Sequence, residues 1–133
     1  MDLKALVTLT RDSDRPVAPQ VRADFIRCVS PDVVVRLGCA AGKPEEQGVA
    51  TQTAAAHAAL GEAVRKAVVE ATGASDRGAA PPIAAADAPR EPTATCIVGF
   101  LTSPTEGKLL ASAEYRKRLA AGLAAGVAAG MGR

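Results

Sequence analysis

Thirty of the 133 residues are Ala, only three are aromatic (Phe25, Phe100 and Tyr115), and Trp is absent. A core built from such side chains buries little area per residue, and stabilisation scales with apolar area at roughly 25 cal/mol per Å². Leu, Ile, Val and Phe together number 28, a share just above the roughly 20% below which charged chains tend to stay disordered. The sequence therefore predicts one folded domain over residues 1–133 with a thin core, marginal alone or completed by a partner surface. A second ordinary domain has no room.

Charge removes several function classes. Sixteen basic residues face 14 acidic ones, a net charge of +2. That balance creates no strong field for nucleic acid or anionic lipid, and three aromatics are few for stacking bases. Neither a nucleic-acid nor a membrane partner is expected. The apolar run in residues 1–10 is interrupted by Asp2 and Lys4 and is too short for an export signal or a membrane span, so a cytoplasmic location is expected for the chain as it stands. Cys28, Cys39 and Cys96 are odd in number and contain no CxxC pair. Neither a disulfide framework nor a thiolate zinc site is suggested, and three small buried hydrophobes are the plain reading.

Patterning alternates between strand and helix. Residues 5–10 (ALVTLT) read as a strand, followed by a polar loop over 11–15. Val17, Val21, Phe25 and Val29 share one helical face, with Pro16 and Pro19 at its first turn and Pro31 after it, predicting a helix over about 18–29. The run Val33, Val34, Val35 and Leu37 reads as a central strand buried on both faces. A helix is expected from Thr51 to Thr72, with a stripe of Leu60, Val64, Val68 and Ala71 and Gly73 as its cap. Residues 74–92 hold four of the nine prolines and predict a loose connection. Residues 94–98 form another strand, and Ser112 caps a last helix that buries Tyr115, Leu119, Leu123 and Val127. The expected fold class is α/β, a layered and mostly parallel sheet flanked by helices.

Three blocks, in order, carry a family resemblance. The stretch LTRDSDRPVAPQVRADFIRCVSPDVVVRLGCA (9–40) holds Arg11, Asp12, Asp14, Arg22 and Asp32 at family-typical places. The helix over 60–72 leads to GASDRG, with Asp76, Arg77 and Gly78. The block VGFLTSPTEGKLLASAEYRKRLAAGLAAGV (98–127) holds Gly99, Phe100, Leu101, Pro104, Glu106, Leu109, Leu110, Tyr115 and Leu119. Together they resemble the zinc-dependent N-acetylmuramoyl-L-alanine amidases, which cleave the bond between muramic acid and the stem peptide of peptidoglycan.

The resemblance implies zinc held by two His and one Glu, with a further Glu as general base, in proteins usually exported to the cell envelope. This sequence departs from that pattern at each such place. The family's opening Asp-Pro-Gly-His-Gly-Gly strand and its later Glu ligand have no counterpart, so an amidase-like fold lacking its first strand and helix is expected. Gly38 stands at the position of the second His ligand and Ile97 at the general base. Glycine offers no ligand and isoleucine moves no proton. No bound metal or cofactor and no catalytic residue are therefore expected, and weak substrate-binding candidates are Arg11, Asp12 and Arg36.

The remaining polar residues have plainer readings. His57, the sole histidine, reads as a partly exposed helix residue rather than a site. Cys39 with His57 is a remote nucleophile pair. Arg11, Asp12, Asp14 and Arg15 read as a solvated loop that pairs its own charges rather than an anion-binding turn, and Asp76 and Arg77 likewise. Arg36, charged within an apolar strand, needs a partner or an edge position. The reading favoured is a degenerate amidase-like domain kept for peptidoglycan binding or assembly. The alternatives are an amidase completed by a partner chain or a missing N-terminal segment, and an interaction module unrelated to the cell wall. A sheet edge left open by the missing strand predicts a homo-oligomer or partner chain there.

Overall fold

The computed structural model describes residues 5–11 and 13–132. Asp12, one of the sequence candidates, lies outside the described residues. Helix α1 (Pro19–Val29) begins with a proline at its first position and ends at Ser30, whose φ of 51° turns the chain out of the helix while its N–H donates to Ile26 O at 2.9 Å. This matches the sequence expectation, and Pro31 prevents continuation.

Four strands follow in chain order: β1 (Val34–Ala40), β2 (Val49–Gln52), β3 (Asp76–Ala79) and β4 (Thr93–Phe100). They form one sheet in the order β1-β4-β2-β3, with β1 parallel to β4, β2 parallel to β3, and β2 antiparallel to β4. The α/β class and the predominance of parallel pairing hold. The central strand does not. Among the described residues the valine run belongs to β1, which has only β4 beside it and no fully buried residue. Six of the eight residues of β4 are buried instead. A continuous apolar run signals burial on both faces, but the number of hydrogen-bonded neighbours decides centrality, and composition does not reveal that number.

Three further expectations are corrected. Residues 5–10 carry no strand: Leu6, Val7 and Leu9 are 96%, 75% and 65% exposed, and β propensity alone makes no ladder without a neighbour to pair with. Helix α2 spans Ala58–Thr72 rather than starting at Thr51, because Val49 and Thr51 point inward as alternate residues of β2 and a short 3-10 turn (Ala55–His57) precedes the helix. Its end at Gly73, φ 72°, is as expected. The region 74–92 is partly regular, since β3 lies within it and Ile83 bridges to Ala54.

At the other end of β4, Ser103 accepts from the Glu106 N–H and caps α3 (Pro104–Ala111), a helix the sequence reading passed over. Ser112 then caps α4 (Ala113–Gly130), as expected, by accepting from the Tyr115 N–H. No helix among the described residues is long and apolar enough to cross a membrane.

One face of the sheet is covered by α2 and α4. Their core unites Val49, Ala94, Cys96 and Val98 of the sheet with Leu60, Val64, Val68, Tyr115 and Leu119 of the helices. Gly122, Gly126 and Gly130 of α4 lie one turn apart. A Cβ at Gly126 would stand 2.5 Å from Val64 Cα, and one at Gly122 would stand 2.9 Å from Val68 Cα. The two helix backbones touch there, which is how a core of small side chains excludes voids. Gly126→Val is expected to destabilise the fold by about 1–3 kcal/mol through overpacking. The exposed Ala121→Val should stay within about 0.5 kcal/mol of the parent. Urea denaturation of both variants checks this.

Candidate functional site

The parallel ladder between β1 and β4 sets Gly38 directly beside Ile97. These are the two positions that the resemblance pairs with a metal-binding His and the general base. A Cβ at Gly38 would lie 3.3 Å from Ile97 Cδ1. Strand alternation from this pair puts Arg36, Thr95, Ala50 and Gln52 on the same sheet face, opposite α2 and α4. None of these six residues is fully buried.

Zinc does not fit this place. Gly38, at the position the resemblance gives to a His ligand, offers no donor atom, and Ile97, at its general-base position, offers none either. Among the described residues no three His, Cys, Asp or Glu side chains come together in a way that could hold a metal. His57 sits half-buried in the turn before α2. Cys39 is exposed on β1 next to Gly38, and Cys28 is exposed on α1. Only Cys96 keeps the expected role of a buried hydrophobe; the other two depart from it because their elements lie at the sheet edge and on an uncovered helix face. Burial pushes the Cys96 thiol up from 9.0 to about 11.

Of the basic candidates, Arg11 donates to Arg15 O at 2.7 Å and Arg36 takes the edge position its charge required. Asp76 and Arg77 correct the expectation of a solvated loop. Asp76 Oδ1 lies 3.0 Å from Arg65 Nε, a charge contact off the N–H axis, and accepts from the Gly78 N–H at 2.8 Å. Arg77 lies over the Phe100 ring, 4.8 Å from its centroid, and donates to Gln47 O.

The best-organised polar group is one the sequence reading matched without giving it a role. Glu106 is 5% exposed. Its Oε1 accepts from Phe100 N–H at 2.9 Å and Gly48 N–H at 3.0 Å, and its Oε2 from Gly48 N–H at 3.0 Å. Gly48 presents that N–H from φ 121°, and a Cβ there would meet Ser75 O at 2.8 Å, so only glycine suits the turn. The carboxylate thus ties the entrance of β2 to the exit of β4 and the first turn of α3. Its partners are peptide N–H groups, which makes it a structural tether. The Ser-Pro-Thr-Glu spacing is a helix-start signal that the sequence reading passed over, and nothing local marks a carboxylate that reaches across to Gly48.

The comparisons with known proteins agree with this architecture. The sequence family described as N-acetylmuramoyl-L-alanine amidase matches residues 2–129. The chain belongs to that family. No curated protein matches it. Among solved structures, the catalytic domain of CwlV, an N-acetylmuramoyl-L-alanine amidase from Bacillus (Paenibacillus) polymyxa var. colistinus, is similar with a TM-score of 0.84 at 24% identity, over 98% of this chain and 74% of that one. The N-acetylmuramoyl-L-alanine amidase AmiC2 of Nostoc punctiforme is similar at TM-score 0.84 and 24% identity, over 95% and 72%. The CwlD amidase from Clostridioides difficile, solved in complex with the GerS lipoprotein, is similar at 0.83 and 17%, over 96% and 76%. At these identities the likeness is one of fold.

Two expectations follow for this amidase-family domain. Glu106→Ala should cost about 1–3 kcal/mol for each N–H it orphans. Glu106→Gln should cost less, since a carbonyl at the Oε1 position still serves both donors; equal midpoints in thermal denaturation for parent and Glu106→Ala would refute the tether. With a disulfide-exchange reagent near pH 8, Cys28 and Cys39 should react at once and Cys96 only after unfolding. The sign for stability follows from the raised thiol: its contribution is complete below about 9 and is lost as pH climbs through about 11.

Proposed function

We propose that this chain is a non-hydrolytic member of the amidase family, keeping the fold for peptidoglycan binding or assembly without cleaving the muramoyl-L-alanine bond. One observation carries the reading: Gly38 and Ile97 are ladder partners, so a single spot on the sheet lacks both a metal-binding side chain and a proton-transferring one. Hydrolysis of an amide at neutral pH needs an activated water, and neither residue can activate one. The side chains around the pair, Thr95, Gln52 and Arg36, are polar and suit binding rather than bond cleavage.

Among the described residues β1 is paired on one side only, which favours a second reading, in which a partner chain or an N-terminal segment missing from this sequence adds the ligands beside Gly38. One experiment separates the two. Purified protein is assayed for zinc by elemental analysis, for release of stem peptide from muropeptides, and for co-sedimentation with peptidoglycan sacculi. The expected result is sedimentation without stoichiometric zinc or cleavage. Zinc with cleavage by this chain alone refutes the proposal, and cleavage gained only with a co-purifying partner establishes the second reading.

A further inference from the structure

Charge is unevenly placed along the chain. Residues 107–133 carry five Lys or Arg and one Glu, whereas residues 1–106 carry eleven basic and thirteen acidic side chains. The small net charge therefore hides a separation, with the positive excess at the C-terminal end. Four of those five cations, Lys108 on α3 and Arg116, Lys117 and Arg118 on α4, stand where the two helices meet, and all four are exposed.

Arg116 is held in a fixed pose. Its Nη1 donates to Leu110 O and Ala111 O, each at 3.2 Å, using carbonyls that the end of α3 leaves over. The other edge of the guanidinium, formed by Nε and Nη2, is left for an acceptor, and two parallel N–H groups match the two oxygens of a carboxylate. Lys117 has Ala113, Ala120 and Ala121 as neighbours one turn away, all exposed, so no long side chain from these positions shields its ammonium. Glu114, one turn before Arg118, is the one acidic residue on the same segment. Among the described residues the ion pairs are Arg27 with Asp24 and Arg65 with Asp76, and neither involves these four cations. Tyr115, the aromatic residue of α4, is 6% exposed and belongs to the core, so it offers no ring beside the cations for stacking on a base.

We propose that the α3–α4 junction is the surface that holds peptidoglycan, through the free carboxylates of its stem peptides. Arg116 takes one carboxylate edge-on, and Lys108, Lys117 and Arg118 supply the surrounding positive charge. This rests on the proposed retention of peptidoglycan binding, and names the surface and the chemical group responsible for it. Each exposed charge contact is weak alone, but a polymer that repeats its carboxylates engages several copies of the chemistry at once, and tethering multiplies the affinity. Because α4 covers the sheet face opposite Gly38 and Ile97, holding the polymer here needs neither residue.

The test is co-sedimentation with peptidoglycan sacculi. The unaltered protein is expected to sediment at about 0.1 M salt and to be released at about 1 M, where charges are screened within ~3 Å. Lys108→Glu combined with Lys117→Glu should weaken binding by roughly tenfold or more. Lys43→Glu combined with Lys66→Glu makes the same change in net charge at two exposed positions elsewhere and should stay within about twofold of the parent. Circular dichroism checks that both variants are folded. Sacculi whose carboxyl groups have been amidated with a carbodiimide and ammonia probe the same point with the unaltered protein, and should no longer bind it. Sacculi stripped of phosphate-bearing polymers with hydrofluoric acid should bind it as before. Equal sedimentation of parent and Lys108→Glu/Lys117→Glu, or retention on amidated sacculi, overturns this inference and leaves the peptidoglycan-binding reading standing. Loss of binding on acid-stripped sacculi overturns it in favour of a phosphate ligand. Failure of the unaltered protein to sediment at all refutes that reading and this inference together.

Discussion

Everything in this fold leans on the contact between two helix backbones. With Ala as the commonest residue and three aromatics in all, side-chain volume cannot fill a gap between layers of ordinary spacing, which for helices is 8–10 Å. Gly122 and Gly126 remove the Cβ atoms that would hold α4 away from Val64 and Val68. Those two valines and Val49 on the sheet are then completely buried, each worth about 1.5–3 kcal/mol of apolar transfer.

A second constraint fixes where the sheet ends meet. β4 runs parallel to one neighbour and antiparallel to the other, so the entrance of β2 and the exit of β4 come to the same end of the sheet. Two backbone N–H groups, of Gly48 and Phe100, would be orphaned at that junction, and burial of unpaired donors is costly. Glu106 satisfies both. Arg77 over the Phe100 ring closes the same corner from outside. The residues that carry the family resemblance most strongly, Gly99, Phe100, Pro104 and Glu106, are therefore the ones that join elements together.

Legibility in the sequence tracked how local each determinant is. Helix α1, the Gly73 cap and the Ser112 cap depend on side chains within one or two turns, and all three were readable. Strand β2 was not, because four residues with an alternating pattern vanish into an Ala-rich stretch with no period, and their strand character comes from neighbours far along the chain. The valine run of β1 signalled a buried strand correctly in type and wrongly in place, since edge or centre depends on pairing partners. Residues 5–10 show the converse: a strand-like pattern stays unpaired when no ladder accepts it. At the candidate site, the positions of Gly38 and Ile97 came from the resemblance, and their adjacency came only from the ladder. The linking role of Glu106 had no local signal beyond its spacing from Ser103.

The two sheet faces divide the work, and this explains how such a chain can hold its fold with Gly38 and Ile97 where the family's chemistry is placed. On the covered side α4 lies so close to α2 that one added carbon at Gly122 or Gly126 collides with main chain. Gly38 and Ile97 project from the other face, half-buried, and the nearest atom to a Gly38 Cβ is the far end of a side chain. A flexible methyl can move aside; a helix backbone cannot. Stability therefore constrains identity tightly on the helix-covered face and weakly at the candidate site. A substitution at Gly38 or Ile97 leaves the α2–α4 contact and the Glu106 tether untouched.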